Sequence, residues 1–273
     1  MTRTHPSRLV AIASILVLIG ACNSPAPSVL SDPRQILAAA ATNAATATTV
    51  HVDLTADGSV SLDLTGSGTS GAAGAPIKLT GTTAAADLDL AKKTTRATFS
   101  IPGLLGLAGE LIVVDGAAYY KTTLTGAQYR KQAGATTVPA PSVDPSAIPA
   151  MIGQLNDFLA KPGVDPVKGA DVDCGGKTCS TVRIELTPAE LAALNGGSTT
   201  VPLPSALPVP VPVNLAGASL DLTFQVERDT NRFAGLAAIV GLGDGGKVTA
   251  NVVLSKWNEP VTIAAPPADQ IAP

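Results

Sequence analysis

The chemistry most plainly written into this chain belongs to a cysteine. Cys22 follows Ile19-Gly20-Ala21, at the end of an apolar run from Leu9 to Ile19 that only Ser14 interrupts. Arg3, His5 and Arg8 make the start basic. An aliphatic residue, two small ones and Cys is the pattern of a bacterial lipobox. The small side chains fit a signal peptidase, and the thiol is the nucleophile that takes a diacylglyceryl group. The run spans roughly 16 Å as a helix, about half a bilayer core, so it reads as a signal-peptide core and not as a membrane span. Residues 1–21 are therefore expected to be a signal peptide, Cys22 a lipid anchor and residues 22–30 a tether. Two or three acyl chains would hold the body stably on the extracytoplasmic face of the cell membrane.

Two cysteines remain, Cys174 and Cys179, in Asp-Cys-Gly-Gly-Lys-Thr-Cys. In an exported chain the pair reads as a disulfide across a tight turn. The spacing is not C-x-x-C, and no second Cys/His pair accompanies it, so neither a redox centre nor a zinc site is favoured. His51 is the only other His besides His5. It falls on the polar side of the alternating Val50-Val52-Leu54 run and reads as a solvated strand residue rather than a relay base. Gly66/Gly68/Gly71 and Gly241/Gly243/Gly246 match G-x-G-x-x-G, but neither opens a helix, and both read as turns. Nucleophile-elbow, S-x-x-K and H-E-x-x-H motifs do not occur, and the carboxylates are scattered. No enzyme activity, metal or cofactor is expected.

Composition narrows the classes further. The 273 residues carry 18 Lys+Arg against 21 Asp+Glu, a formal net charge of -3, which argues against nucleic acid. Hydrophobic residues make up 45% and charged residues 14%, enough for a sizeable core, while aromatics are only 3%. Ala, Val, Leu, Thr and Gly must do the filling.

Asp32-Pro33 opens a helix running to about Ala47. A period of two then takes over. Val50 to Leu54 and Val60 to Leu64 flank a hairpin turn expected at Asp57-Gly58. Strands are expected at Ile77 to Thr83, Ala85 to Leu90, Thr94 to Ile101 and Leu111 to Val114, and, after a turn at Asp115-Gly116, at Ala117 to Thr123. Helical spacing returns over Ser142 to Leu159. Thr181 to Leu186 reads as a strand, Thr187 to Glu190 as a capping box and Val201 to Val213 as an extended Pro-rich connection. Three strands finish the chain: Ala218 to Arg228, Arg232 to Gly241 and Lys247 to Trp257. Many antiparallel strands with a few helices set between them make an α+β domain, expected over residues 31–273.

Several segments together carry a resemblance. They are the lipobox, the Ala-rich first helix, Leu111-Ile112-Val113-Val114-Asp115-Gly116-Ala117-Ala118-Tyr119-Tyr120 with Tyr129, Thr181-Val182-Arg183-Ile184, and Leu254-Ser255-Lys256-Trp257-Asn258-Glu259-Pro260-Val261 with Pro266-Pro267. The chain resembles the mycobacterial LppX/LprA/LprF/LprG lipoprotein family. Two features depart from it, the Cys174/Cys179 loop and the Val201 to Val213 segment. The resemblance implies a strongly curved antiparallel half-barrel sheet, with helices on the concave side enclosing an apolar cavity, similar in shape to bacterial lipoprotein-localisation carriers. It further implies an acylated lipid or glycolipid as ligand, transport of that lipid across the cell envelope, and an export transporter as a further partner.

On that expectation the cavity lining can be named. Ile148, Ile152, Leu155 and Leu159 form one helical stripe, which should face Leu111 and Val113 on their strand. The uncharged segment Pro102 to Gly109 places Leu104, Leu105 and Leu107 at a cavity mouth, with burial in an ordinary core as the alternative. A non-catalytic envelope scaffold or sensor, and an exported hydrolase, are the rival functions.

Overall fold

A computed structural model of the chain describes residues 30–60, 76–133, 153, 157–194, 200–202, 212–214, 217–243 and 246–273. The helix α1, Pro33–Ala45, begins as expected. The Asp32 carboxylate accepts from the Arg34 and Gln35 backbone N–H groups at 2.8 and 3.0 Å, and Pro33 occupies the first turn. One face of α1 buries Ile36, Leu37, Ala40 and Ala41, spaced to lie on one side of a helix.

The strands are β1 Thr49–Val60, β2 Ile77–Lys78, β3 Thr82–Asp89, β4 Thr94–Ile101, β5 Leu107–Val114, β6 Ala117–Thr122 and β7 Arg130–Ala133. Then follow β8 Val167–Lys168, β9 Val172–Asp173, β10 Thr178–Leu186, β11 Thr200–Pro202 and β12 Pro212–Asn214. The last are β13 Ala218–Glu227, β14 Phe233–Leu242 and β15 Lys247–Ser255. Thirteen of them form one curved, open antiparallel sheet in the order β7-β6-β5-β4-β3-β1-β15-β14-β13-β10-β8, with β2 on β1 and β9 on β10. This is the expected α+β half-barrel. The runs β3 to β7 and β13 to β15 pair consecutively, β10 joins β13 to β8 and β9, and β1 joins the two halves by lying between β3 and β15.

Four local expectations change. No hairpin forms at Asp57-Gly58, because β1 runs straight through it. Gly58 sits at φ 112° where β1 exchanges partners: Gly58 still pairs with Val248, and Ser59 already pairs with Lys78. A Cβ on Gly58 would lie 2.0 Å from the Lys247 carbonyl oxygen, so glycine is there for close approach and not for a turn. Second, the strand expected over Ile77 to Thr83 breaks at Thr80-Gly81 into β2 and β3. Third, the loop expected over Pro102 to Gly109 shortens to residues 102–106, since Leu107 to Gly109 pair with Ile101 to Phe99. Last, the ends of the Pro-rich connection pair with each other as the separate β11–β12 ladder, Val201 opposite Val213.

Other local signals are realised as read. Asp115 and Gly116 take φ 52° and 70°, the left-handed pair a tight hairpin requires. Thr187 N–H and hydroxyl both donate to the Glu190 carboxylate at 2.7 Å, capping the Pro188–Leu194 helix. Gly153 and residues 157–159 are helical. Ile148, Ile152 and Leu155 lie outside the described residues, as do Cys22, the signal segment, Gly66 to Gly74 and all of the tether but Leu30.

Candidate functional site

Antiparallel register decides which side chains share a face, because residues directly opposite point the same way. Starting from Phe224 on β13, the partners run Leu236 on β14, Val252 on β15, Leu54 on β1, Ala84 on β3, Phe99 on β4 and Gly109 on β5. Every member is apolar or glycine. The neighbouring row on one side runs Leu222, Ala238, Ala250, Ala56 and Thr82. On the other side it runs Leu254, Val52, Ala86, Ala97, Leu111 and Tyr120. Between β13 and β5 these rows are apolar apart from Thr82, with alanines at their centre; at the two ends of the sheet the rows continue to Lys168, opposite Val182, and to Arg130, opposite Tyr120. The opposite face carries His51, Asp53, Asp87, Arg96, Glu110, Lys121, Arg183 and Asp221.

Burial is uneven along the apolar face. Beneath α1, Val182, Ile184, Phe224 and Val226 are buried with Ile36, Leu37 and Leu159 in one cluster. On the neighbouring strands β14, β15, β1, β3 and β4, the same-face residues Ala238, Val240, Val252, Leu54, Ala56, Ala84 and Ala97 are only half-buried. A sheet that had filled its own interior would bury these positions as completely as those under α1. At Gly109 the Phe99 ring closes over the strand, so that a Cβ there would sit 2.7 Å from it.

The expected lining residues divide. Leu107, Leu111 and Val113 lie on the apolar face by register, Leu111 buried and Val113 half-buried. Leu159 lies on the same side of the sheet, but it packs into the core under α1 rather than against Leu111 and Val113. Arg34 fixes it there: its guanidinium donates to the Leu159 carbonyl and, at 2.6 Å, to that of Val164. Leu104 is half-buried in the 102–106 turn, whereas Leu105 is 95% exposed at φ 54°. The half-buried alanines and Phe99 were missed by sequence reading. Strand alternation marks which side each faces, but not that their strands are neighbours.

The polar face holds ion pairs. His51 is half-buried, with Nδ1 2.6 Å from Asp87 and Nε2 3.2 Å from Asp53, so it is paired and not simply solvated as the alternation suggested. Glu110 binds Arg96 at 2.8 Å and Lys121 at 3.2 Å, and Lys121 stands 4.3 Å over the Tyr129 ring. Burial raises the Glu110 carboxyl, and hydrogen bonds from Tyr129, Lys121 and Arg96 outweigh that, so it ends below its usual value. Arg183 grips Asp221 at 2.9 and 2.6 Å. A cleft of about 470 Å³ opens on this side between Glu185, Pro188, Ile239 and Lys247. Cys174 and Cys179 form the expected disulfide, Cα to Cα 5.9 Å, across the β9–β10 hairpin. Among the described residues no three His, Cys, Asp or Glu are grouped to hold a metal, and no helix is long and apolar enough to cross a membrane.

No protein-family model and no curated protein matches the sequence. Solved structures do. LprF from Mycobacterium bovis superposes with a TM-score of 0.51 at 18% identity, covering 86% of this chain and 96% of that one. Lipoprotein LppX from Mycobacterium tuberculosis gives 0.49 at 15% identity, covering 86% and 100%. A LolA superfamily protein from Nitrosomonas europaea gives 0.29 at 9%, covering 89% and 99%. The likeness to LprF places this chain in that fold, an open, curved antiparallel sheet with few helices.

Proposed function

We propose that the protein is an exported lipoprotein, acylated at Cys22 and held on the extracytoplasmic side of the cell membrane, which binds an acylated lipid or glycolipid on the apolar face of its sheet and assists that lipid across the cell envelope. The observation that carries this reading is the half-buried, alanine-centred apolar face. A folded chain of this size does not ordinarily leave such a surface incompletely covered. Moving a C16 chain through water costs roughly 12 kcal/mol at about 0.8 kcal/mol per CH2. A carrier therefore has to cover the chain without filling its own interior, and small side chains on a curved sheet meet that need. The fold shared with LprF supports the reading. An export transporter is the partner such a role calls for.

The test is extraction of the protein, purified from bacterial membranes, with organic solvent, followed by lipid mass spectrometry. A carrier yields acyl lipid in molar proportion to protein, beyond the chains attached at Cys22. Protein without extractable lipid points to a scaffold, and turnover of an added ester to a hydrolase. Either outcome overturns the proposal.

A further inference from the structure

Two turns at one end of the sheet carry leucines that are largely exposed. Leu105, in the turn between β4 and β5, is 95% exposed, and Leu124, in the turn between β6 and β7, is 71% exposed. The two are fastened side by side. Thr123 N–H donates to the Ala108 carbonyl at 2.8 Å, and the Thr123 hydroxyl donates to the Gly106 carbonyl at 3.4 Å. Leu105 also holds a left-handed φ of 54°, which a leucine rarely adopts and which turns its side chain outward. Neither turn contains a charge: residues 101–109 read Ile-Pro-Gly-Leu-Leu-Gly-Leu-Ala-Gly and 122–128 read Thr-Thr-Leu-Thr-Gly-Ala-Gln. Exposed cations flank them, Lys78, whose backbone is packed under Gly103, and Arg130 just past the second turn. Two acidic groups stand near this end, and both are engaged: Asp57 accepts from the Thr80 hydroxyl at 2.8 Å, and Glu110 is paired with Arg96 and Lys121.

We propose that these paired turns are a docking surface for a lipid bilayer, separate from the anchor at Cys22. Greasy tips with basic side chains beside them are what an interfacial contact with anionic lipid requires, the leucines entering the headgroup boundary and the cations meeting the charge. Neither tip carries a charge with which a folded protein partner could form an orienting ion pair, and its exposed polar side chains, Thr123 and Gln128, are uncharged groups that a headgroup boundary accepts. The tips also continue the apolar face: Leu107 and Ile101 oppose each other at its edge, in line with Phe99 and Gly109. A docked rim would present that face to the membrane without exposing it to water. Leu30, where the described chain enters the fold, packs instead into the cluster under α1. The choice of a bilayer as partner rests on the lipid-carrier reading.

The experiment uses the chain from Asn23 to Pro273, which lacks the signal segment and the acylated cysteine but holds every described residue. It is mixed with vesicles of phosphatidylcholine and phosphatidylglycerol and floated on a density gradient. Wild-type chain should float with the vesicles, and the Leu105→Asp/Leu124→Asp double variant should partition about tenfold less. Both side chains are exposed, so the circular dichroism spectrum should be unchanged. A wild-type chain that stays at the bottom, or a double variant that floats equally well, overturns the proposal. So does a wild-type dimer that the double variant dissolves, since the tips would then be a contact between copies. Lipid extraction of the same samples separates the two readings: flotation without bound lipid sinks the carrier and leaves the docking surface standing, and bound lipid without flotation does the reverse.

Discussion

Glu227 shows how single residues hold this sheet together. It is 7% exposed, and its carboxylate takes Lys177 and the Thr230 hydroxyl, each at 2.6 Å. Burial raises its pKa, yet hydrogen bonds from Lys177 and Thr230 and the charges of Lys177 and Arg232 leave it below the ordinary glutamate value. A lowered carboxyl stabilises the fold above the unfolded value of about 4.3 and loses that contribution as pH falls through the folded value. Lys177→Met should therefore destabilise the protein more at about pH 7 than at about pH 3, read from urea midpoints. An equal loss at both pH values would contradict this. Gly58→Ala should cost roughly 1–3 kcal/mol, because φ 112° and the Lys247 carbonyl leave no room for a Cβ. If Asp57-Gly58 were a surface turn after all, the same change would be nearly silent in a thermal melt. The disulfide was legible from two cysteines read in a chain expected to be exported. The role of Gly58 was not, since Asp-Gly is equally the commonest hairpin signal and the contact that decides it lies almost two hundred residues along the chain.

At the scale of elements, caps and turns were the most legible features, because each is decided within four residues. Asp32-Pro33, Thr187 to Glu190 and Asp115-Gly116 all act as their side chains dictate. Asp32→Ala should lower stability by about 1 kcal/mol, by removing acceptors for two N–H groups that have no helical partner. Asp32→Asn should restore most of it, and equal losses in both would mean that charge rather than capping matters. Strand ends were read less well. The β5 strand begins four residues earlier than expected because Ile101 and Phe99 offer Leu107 and Gly109 partners in register. Glycine at 109, read as loop punctuation, is strand backbone over which an aromatic ring closes. Leu104 and Leu105 consequently lie at a short tip, and Leu107 joins the sheet.

The whole molecule depends on an order of strands that local sequence does not encode. Alternation shows that Leu54, Ala84, Phe99 and Val252 each point to one side of a strand. Only register shows that they form one row across the middle of the sheet. The composition, poor in aromatics and rich in alanine, suits both a close-packed core and a smooth lining, and it could not choose between them. Burial differs along the sheet, complete under α1 and partial over the alanines. An aromatic block placed in that row turns this difference into a measurement. In a closed core, Ala84→Trp overpacks and costs roughly 1–3 kcal/mol or more. Over an acyl-chain site it occupies the ligand's space instead. The decisive experiment is the acyl lipid extracted per mole of purified Ala84→Trp, taken together with its melting temperature. We expect a melting temperature close to that of the wild-type chain and no bound lipid beyond the acyl chains proposed at Cys22; a variant that unfolds, or one that stays folded and carries wild-type lipid, would contradict the account.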